Sequence, residues 1–121
     1  MTASKRVARL AVYLGALFVA VPASADDRWG AELYALRCAT CHGADGMGTR
    51  NVVPATGPAL KGNPFVVNGS IAAIRNVIRK GRSGSRRLYN DTYPNMPGFG
   101  DEAVSDADRL AKWLKEDLQK D

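Results

Sequence analysis

Cys38-Ala39-Thr40-Cys41-His42 constrain this chain more than any other stretch, because its two cysteines and its single histidine all fall within five consecutive positions. Cysteines three apart in a helical turn lie on one side of it. Both thiols can then add across two vinyl groups on one edge of a porphyrin, and the neighbouring imidazole reaches the iron. C-x-x-C-H is the spacing used for covalent haem attachment. Three other readings compete. A disulfide redox motif belongs beside a βαβ pattern, which this sequence does not show. A tetrahedral zinc site takes four ligands, and no further Cys or His exists to complete one. A structural disulfide is common in exported chains, but it leaves the adjoining histidine unexplained. The expectation is one covalently bound haem c, with its iron on His42.

The N-terminus reads as an address. Lys5, Arg6 and Arg9 precede an apolar run of 12 residues, Leu10 to Val21, and Ala23-Ser24-Ala25 follows as a small-residue cleavage site. This is the pattern of a secretory signal peptide, and the run falls short of the roughly 20 residues that span a bilayer. The expected organisation is therefore a signal peptide over residues 1–25 and one domain over 26–121, exported to the periplasm without stable membrane insertion. Removing three basic residues and no acid lowers the formal charge from +5 to +2. A nearly neutral domain lacks the basic footprint of nucleic-acid binding. Of the 96 remaining residues, 18 are Leu, Ile, Val or Phe, just under the roughly 20% at which globular folding becomes doubtful. A buried macrocycle would supply the missing apolar area, as metals and disulfides do in other short domains.

Three segments carry helical periodicity. From Trp29 to about Cys38, residues Ala31, Tyr34, Ala35 and Cys38 share a face, with Asp26 and Asp27 suited to a helix start. Ser70 is an N-cap for Ile71 to Lys80, where Ile71, Ile74 and Ile78 form a stripe and Gly81 marks the stop. A last helix is expected from Ser105, with Asp108 as its capping-box partner and Ala107, Leu110, Ala111, Leu114 and Leu118 as its apolar side. Between them lie two long stretches, Gly43 to Gly69 and Gly81 to Gly100, rich in Gly, Pro and Asn. Loops of that length usually carry function.

Beyond the five-residue motif, residues 26–121 resemble the class I c-type cytochromes. The resemblance is carried by Gly43-Ala44-Asp45-Gly46-Met47-Gly48 after the motif, by Gly57-Pro58-Ala59-Leu60, by Gly30 and Tyr34 with Trp113, and by Tyr93-Pro94-Asn95-Met96-Pro97-Gly98-Phe99. It implies an all-α cytochrome c fold, with three main helices and long loops wrapped around one covalent haem. It also implies that the Pro58 carbonyl accepts the ring N–H of His42, a contact that fixes tautomer and tunes the iron. Gly30 would let the first and last helices touch beside Tyr34 and Trp113. With one histidine, a bis-histidine haem is excluded, and residues 26–121 offer Met47 and Met96 as second axial ligands. Met47, five residues from His42, would have to cross the edge of the ring almost at once. Met96, 54 residues on, stands in the segment that resembles the family's methionine loop, where Pro94 and Pro97 limit backbone freedom; a buried Met can also simply fill a gap. The implied cofactor-binding set is Cys38, Cys41, His42, Pro58 and Met96, with His42 and Met96 on the metal.

Met/His coordination raises the reduction potential and leaves no open position on iron. The expected function is single-electron shuttling between periplasmic redox proteins, without catalysis. The rival from another class is a haem-based sensor or peroxidase-like enzyme with a displaceable sixth ligand, and a haem module held in a larger complex is a third. Arg75, Arg79, Lys80, Arg82, Arg86 and Arg87 form a basic run, followed by acidic Asp101, Glu102, Asp106 and Asp108. These are either solvated faces, a docking dipole, or, for some arginines, partners of the haem propionates. The chain further resembles the acceptors of periplasmic PQQ-dependent alcohol dehydrogenases, which implies such an enzyme as donor and a terminal oxidase pathway as acceptor.

Overall fold

The computed structural model describes residues 15–17, 19–22, 24–89 and 92–121. Most of the expected signal peptide lies outside these residues. Of its described part, Leu17, Val19 and Val21 are almost fully exposed, and no described helix is long and apolar enough to cross a membrane.

The first helix, α1 (Ala25–Arg37), starts four residues before the expected Trp29. Ser24 and Asp27 form a reciprocal capping box: the Ser24 hydroxyl accepts from the Asp27 amide at 3.2 Å, and the Asp27 carboxylate accepts from the Ser24 amide at 3.2 Å. The buried face also differs from expectation. Gly30, Leu33 and Tyr34 are covered, while Ala35 faces solvent and Ala31 is only half-buried. A row of alanines carries little apolar area, so the larger Leu33 and the contact at Gly30 decide which side turns inward.

Two short helices follow, α2 (Ala39–His42) and α3 (Pro64–Asn68). The second interrupts the stretch expected as loop. Its start signal was in the sequence, since Asn63 accepts from the Phe65 amide at 3.0 Å and Pro64 occupies the first helical position. Helix α4 (Ile71–Lys80) forms as expected, with the Ser70 hydroxyl accepting from the Ala73 amide and Gly81 after the last turn. Helix α5 (Val104–Glu116) begins one residue early and without a side-chain cap. The Ser105–Asp108 box does not form: Ala103 takes the N-cap position, which leaves Ser105 inside the helix, and Asp108 pairs with Arg75 of α4 at 3.1 Å. The apolar side of α5 is as expected, with Ala107, Leu110, Ala111 and Leu114 buried and Leu118 beyond.

Helix α5 packs on both α1 and α4. At the α1 crossing, a Cβ on Gly30 would lie 2.4 Å from Cβ of Trp113, and Tyr34 meets Trp113 with ring centroids 5.1 Å apart. Lys115 ties α5 to the end of α3 by donating to the carbonyls of Val67 and Gly69. Among the described residues no strand forms. A single antiparallel bridge joins Arg82 to Met96, and one 3-10 turn covers Gly84–Arg86.

Gly30→Ala must push α1 off Trp113, so it should destabilise the protein by about 1–3 kcal/mol. Chemical denaturation checks this. Helix propensity alone would make the alanine stabilising by about 0.5–1 kcal/mol, so a Gly30→Ala variant as stable as wild type or more so would contradict the close-contact explanation.

Candidate haem site

Tyr34 places the turn that follows the motif. Its buried phenol, with a pKa raised by desolvation, stays protonated and donates to the Gly43 carbonyl at 2.6 Å. That contact anchors the end of α2 beneath α1. Cys38 sits at the joint between the two helices, buried, and Cys41 is half-buried on α2. Neither is in a disulfide. Burial pushes the Cys38 thiol up to about 12, which is the reverse of what a redox-active thiolate requires. Among the described residues no three His, Cys, Asp or Glu side chains converge as a metal site, so a zinc site finds no ligands to complete it.

His42 is buried, and its Nδ1 lies 2.7 Å from the Pro58 carbonyl oxygen. A carbonyl can only accept, so Nδ1 carries the proton and Nε2 keeps its lone pair. Burial lowers the histidine's pKa, against a smaller opposite effect of the Pro58 contact; the ring is therefore neutral and fit to ligate a metal. The loop that brings Pro58 there is organised by one hydroxyl. Thr49 Oγ1 accepts from the amides of Thr56 and Gly57 at 2.9 and 3.0 Å and donates to the Cys41 carbonyl at 3.1 Å. Thr49 was not singled out in the sequence, and nothing in its local pattern distinguishes it.

Cys38, His42, Pro58 and Met96 line one cavity, part of which opens to solvent. Its wall is mostly apolar, from Leu60, Phe65, Val66, Ile74, Ile78 and Leu114. Of the five residues expected at the site, Cys41 alone is not on the lining; it stands on α2 between Cys38 and His42. Met47 is 58% exposed and outside the cavity. Phe65 and Val66 were missed in the sequence because α3 was.

An ion pair links the basic run to the acidic run, Arg75 of α4 with Asp108 of α5. Arg37 at the end of α1 pairs with Asp101 and Glu102 in the turn before α5, and Arg109 pairs with Asp106 within α5. Arg82 packs over the Phe65 ring at 4.7 Å and, like Arg87, lines the cavity. Arg87 also donates to the Tyr93 carbonyl.

A family profile described as cytochrome c oxidase, cbb3-type, subunit III matches residues 25–114. The chain belongs to this family. As a c-type cytochrome it carries a covalently bound haem c, and the donor set fits that group: two thiols, a neutral buried imidazole and an apolar cavity stand together. Over 70 residues it is 34% identical to the cytochrome c subunit of the quinone alcohol dehydrogenase of Gluconobacter oxydans (strain 621H). That match covers 58% of this chain and 14% of the relative. The crystal structure of the c-type cytochrome XoxG from Methylobacterium extorquens AM1 superposes with a TM-score of 0.53 at 26% identity, over 74% of this chain and 48% of that one. Cytochrome c552 of Nitrosomonas europaea gives a TM-score of 0.48 at 25% identity, over 69% and 94%. The chain thus spans a small part of the first relative and about half of the second.

Thr49→Val leaves two part-buried amides without their acceptor, which should cost about 1–3 kcal/mol. The reduction potential of the haem-loaded protein should move with it, because the Pro58 carbonyl loses its support. Unfolding and potentiometry check both effects. Thr49→Ser should restore them, and a Val variant with unchanged stability and potential would show that the hydroxyl does not hold this loop.

Proposed function

We propose that this chain is a periplasmic monohaem electron carrier whose iron is held by His42 and Met96. One observation carries the reading: of the two methionines in residues 26–121, Met96 lines the same apolar cavity as His42, whereas Met47 stands in solvent. When bound there, the haem supplies reversible one-electron exchange at its iron. The protein's part is to hold and insulate it. Cys38 and Cys41 tether the ring edge, and His42 offers Nε2 while its Nδ1–H is fixed on Pro58. The apolar walls from α3, α4 and α5 would cover much of the ring, and the Met96 thioether would be the second ligand. Met/His ligation leaves no site for a substrate and favours electron transfer.

Export rests on the basic and apolar pattern of residues 1–25, with Leu17, Val19 and Val21 exposed and Ser24 and Ala25 already belonging to the start of α1. The donor class follows the resemblance to a cytochrome subunit of a quinone alcohol dehydrogenase, which supports a PQQ-dependent dehydrogenase. The family's description as an oxidase subunit supports an acceptor on the path to a terminal oxidase. In neither role does the chain transform a substrate.

Met96→Ala in the haem-loaded protein should open the sixth position. The reduced variant should bind carbon monoxide promptly, where the wild type takes it up only slowly. Its potential should fall by a part of the roughly 0.8 V over which axial ligands set haem potentials. Met47→Ala should change neither property. Prompt carbon monoxide binding by the wild type, or an unaltered potential in Met96→Ala, would exclude Met96 as ligand and favour the sensor or peroxidase class.

A further inference from the structure

Met96 stands in residues 92–103, a described stretch with no helix of its own, so something outside it must hold the thioether in place. The upstream side is fastened to the end of α4. The Arg82 amide donates to the Met96 carbonyl at 3.0 Å and the Met96 amide to the Arg82 carbonyl at 2.9 Å. The approach is close enough to demand glycine: Gly81 has φ +66°, and a Cβ there would lie 2.3 Å from the Met96 oxygen. Further along, the Phe99 amide donates to the Ile78 carbonyl at 2.9 Å. These are backbone contacts, and they hold one side of the loop only.

On the other side, the hydrogen bonds from α1 to this loop come, among the described residues, from Arg37. Its Nε donates to Glu102 Oε1 at 2.9 Å, an Nη reaches Asp101 at 3.5 Å, and its guanidinium lies 5.6 Å from the centre of the Phe99 ring. The Glu102 side chain is only 14% exposed. A carboxylate so shielded is costly to leave without a cation. The Glu102 amide in turn donates to the Phe99 carbonyl at 3.1 Å, so the charged pair and the stacked ring belong to one turn, three to six residues after Met96. Arg37 is also the last residue of α1 and immediately precedes Cys38. The side chain that grips the methionine loop therefore grows from the residue next to a thiol that tethers the ring.

We propose that Arg37 is a positioning residue for the sixth ligand, coupling the Cys38 end of α1 to the Met96 loop through Glu102 and Phe99. This rests on the reading of Met96 as ligand. Without Arg37, the Phe99–Glu102 turn loses its charged hydrogen bond and its stacking partner, and the loop opens more often while the helices stay packed. Local opening of this kind draws on the few contacts of one segment rather than on the whole core.

The test uses the haem-loaded full chain and follows carbon monoxide uptake by the reduced protein, together with the ferric absorption signature of sulfur ligation. Arg37→Ala should take up carbon monoxide roughly tenfold faster than wild type, the change that about 1.4 kcal/mol in the opening equilibrium produces. It should retain attached haem and helical circular dichroism. Arg37→Lys should fall between, since lysine keeps the charge but not the planar fork. Arg75→Ala is the control: it breaks the ion pair to Asp108 between α4 and α5, away from the loop, and should leave uptake slow. Should Arg37→Ala not assemble, Glu102→Gln removes the same charge pair at constant volume and should speed uptake in the same direction. Uptake in Arg37→Ala equal to wild type, or equal acceleration by Arg75→Ala, would overturn the proposal. If wild type, Arg37→Ala and Arg75→Ala are all fast, Met96 is not the ligand and the positioning role falls with it.

Discussion

The hydrogen bond between His42 Nδ1 and the Pro58 carbonyl, at 2.7 Å, is the constraint around which the rest is built. A buried imidazole can be ionised, neutral with either tautomer, or misdirected, and only one of these states offers a bare Nε2 to a metal. Burial disfavours the ionised form, and the carbonyl selects the tautomer because it can only accept. To deliver that carbonyl, the chain must return sixteen residues after His42 and stop against the back of α2. Thr49 arrests it there by bonding simultaneously to the segment at Thr56–Gly57 and to Cys41.

The helices serve this arrangement and are not sufficient without it. α1, α4 and α5 bury a modest set of side chains, two of them alanines, and a domain of this length is marginal on its own core. Ile74, Ile78 and Leu114 belong to that core and also to the cavity wall. Haem c in the cavity would thus extend the core rather than occupy a separate site, which resolves the shortage of large aliphatic residues seen in the composition.

Much of this was legible in order along the chain. The C-x-x-C-H spacing named the cofactor. Ser70 and Gly81 bounded α4, the α5 stripe was read residue by residue, and the resemblance supplied Pro58 and the Gly30–Trp113 contact, both found in the structure. What escaped depended on partners distant in sequence or on residues read for another purpose. Ser24 was taken as part of a cleavage site, yet it caps α1. Asp108 looked like a local cap, but Arg75, 33 residues away, holds it. The inward face of α1 was read only in part: Tyr34 and Cys38 are buried as expected, whereas Ala31 and Ala35 fit the period without carrying area. The basic run could not be sorted by pattern, since only folding shows that Arg75 is paired while Arg82 and Arg87 face the cavity. Arg37, beside the motif, gave no signal at all.

The most direct measurement is the intact mass of the polypeptide purified from cells that can attach haem, taken under denaturing conditions so that only covalent groups remain. The expected mass exceeds that of the chain by one haem, with no thiol available to alkylation. An unmodified mass, with Cys38 and Cys41 free or joined to each other, would contradict the assignment of this cavity.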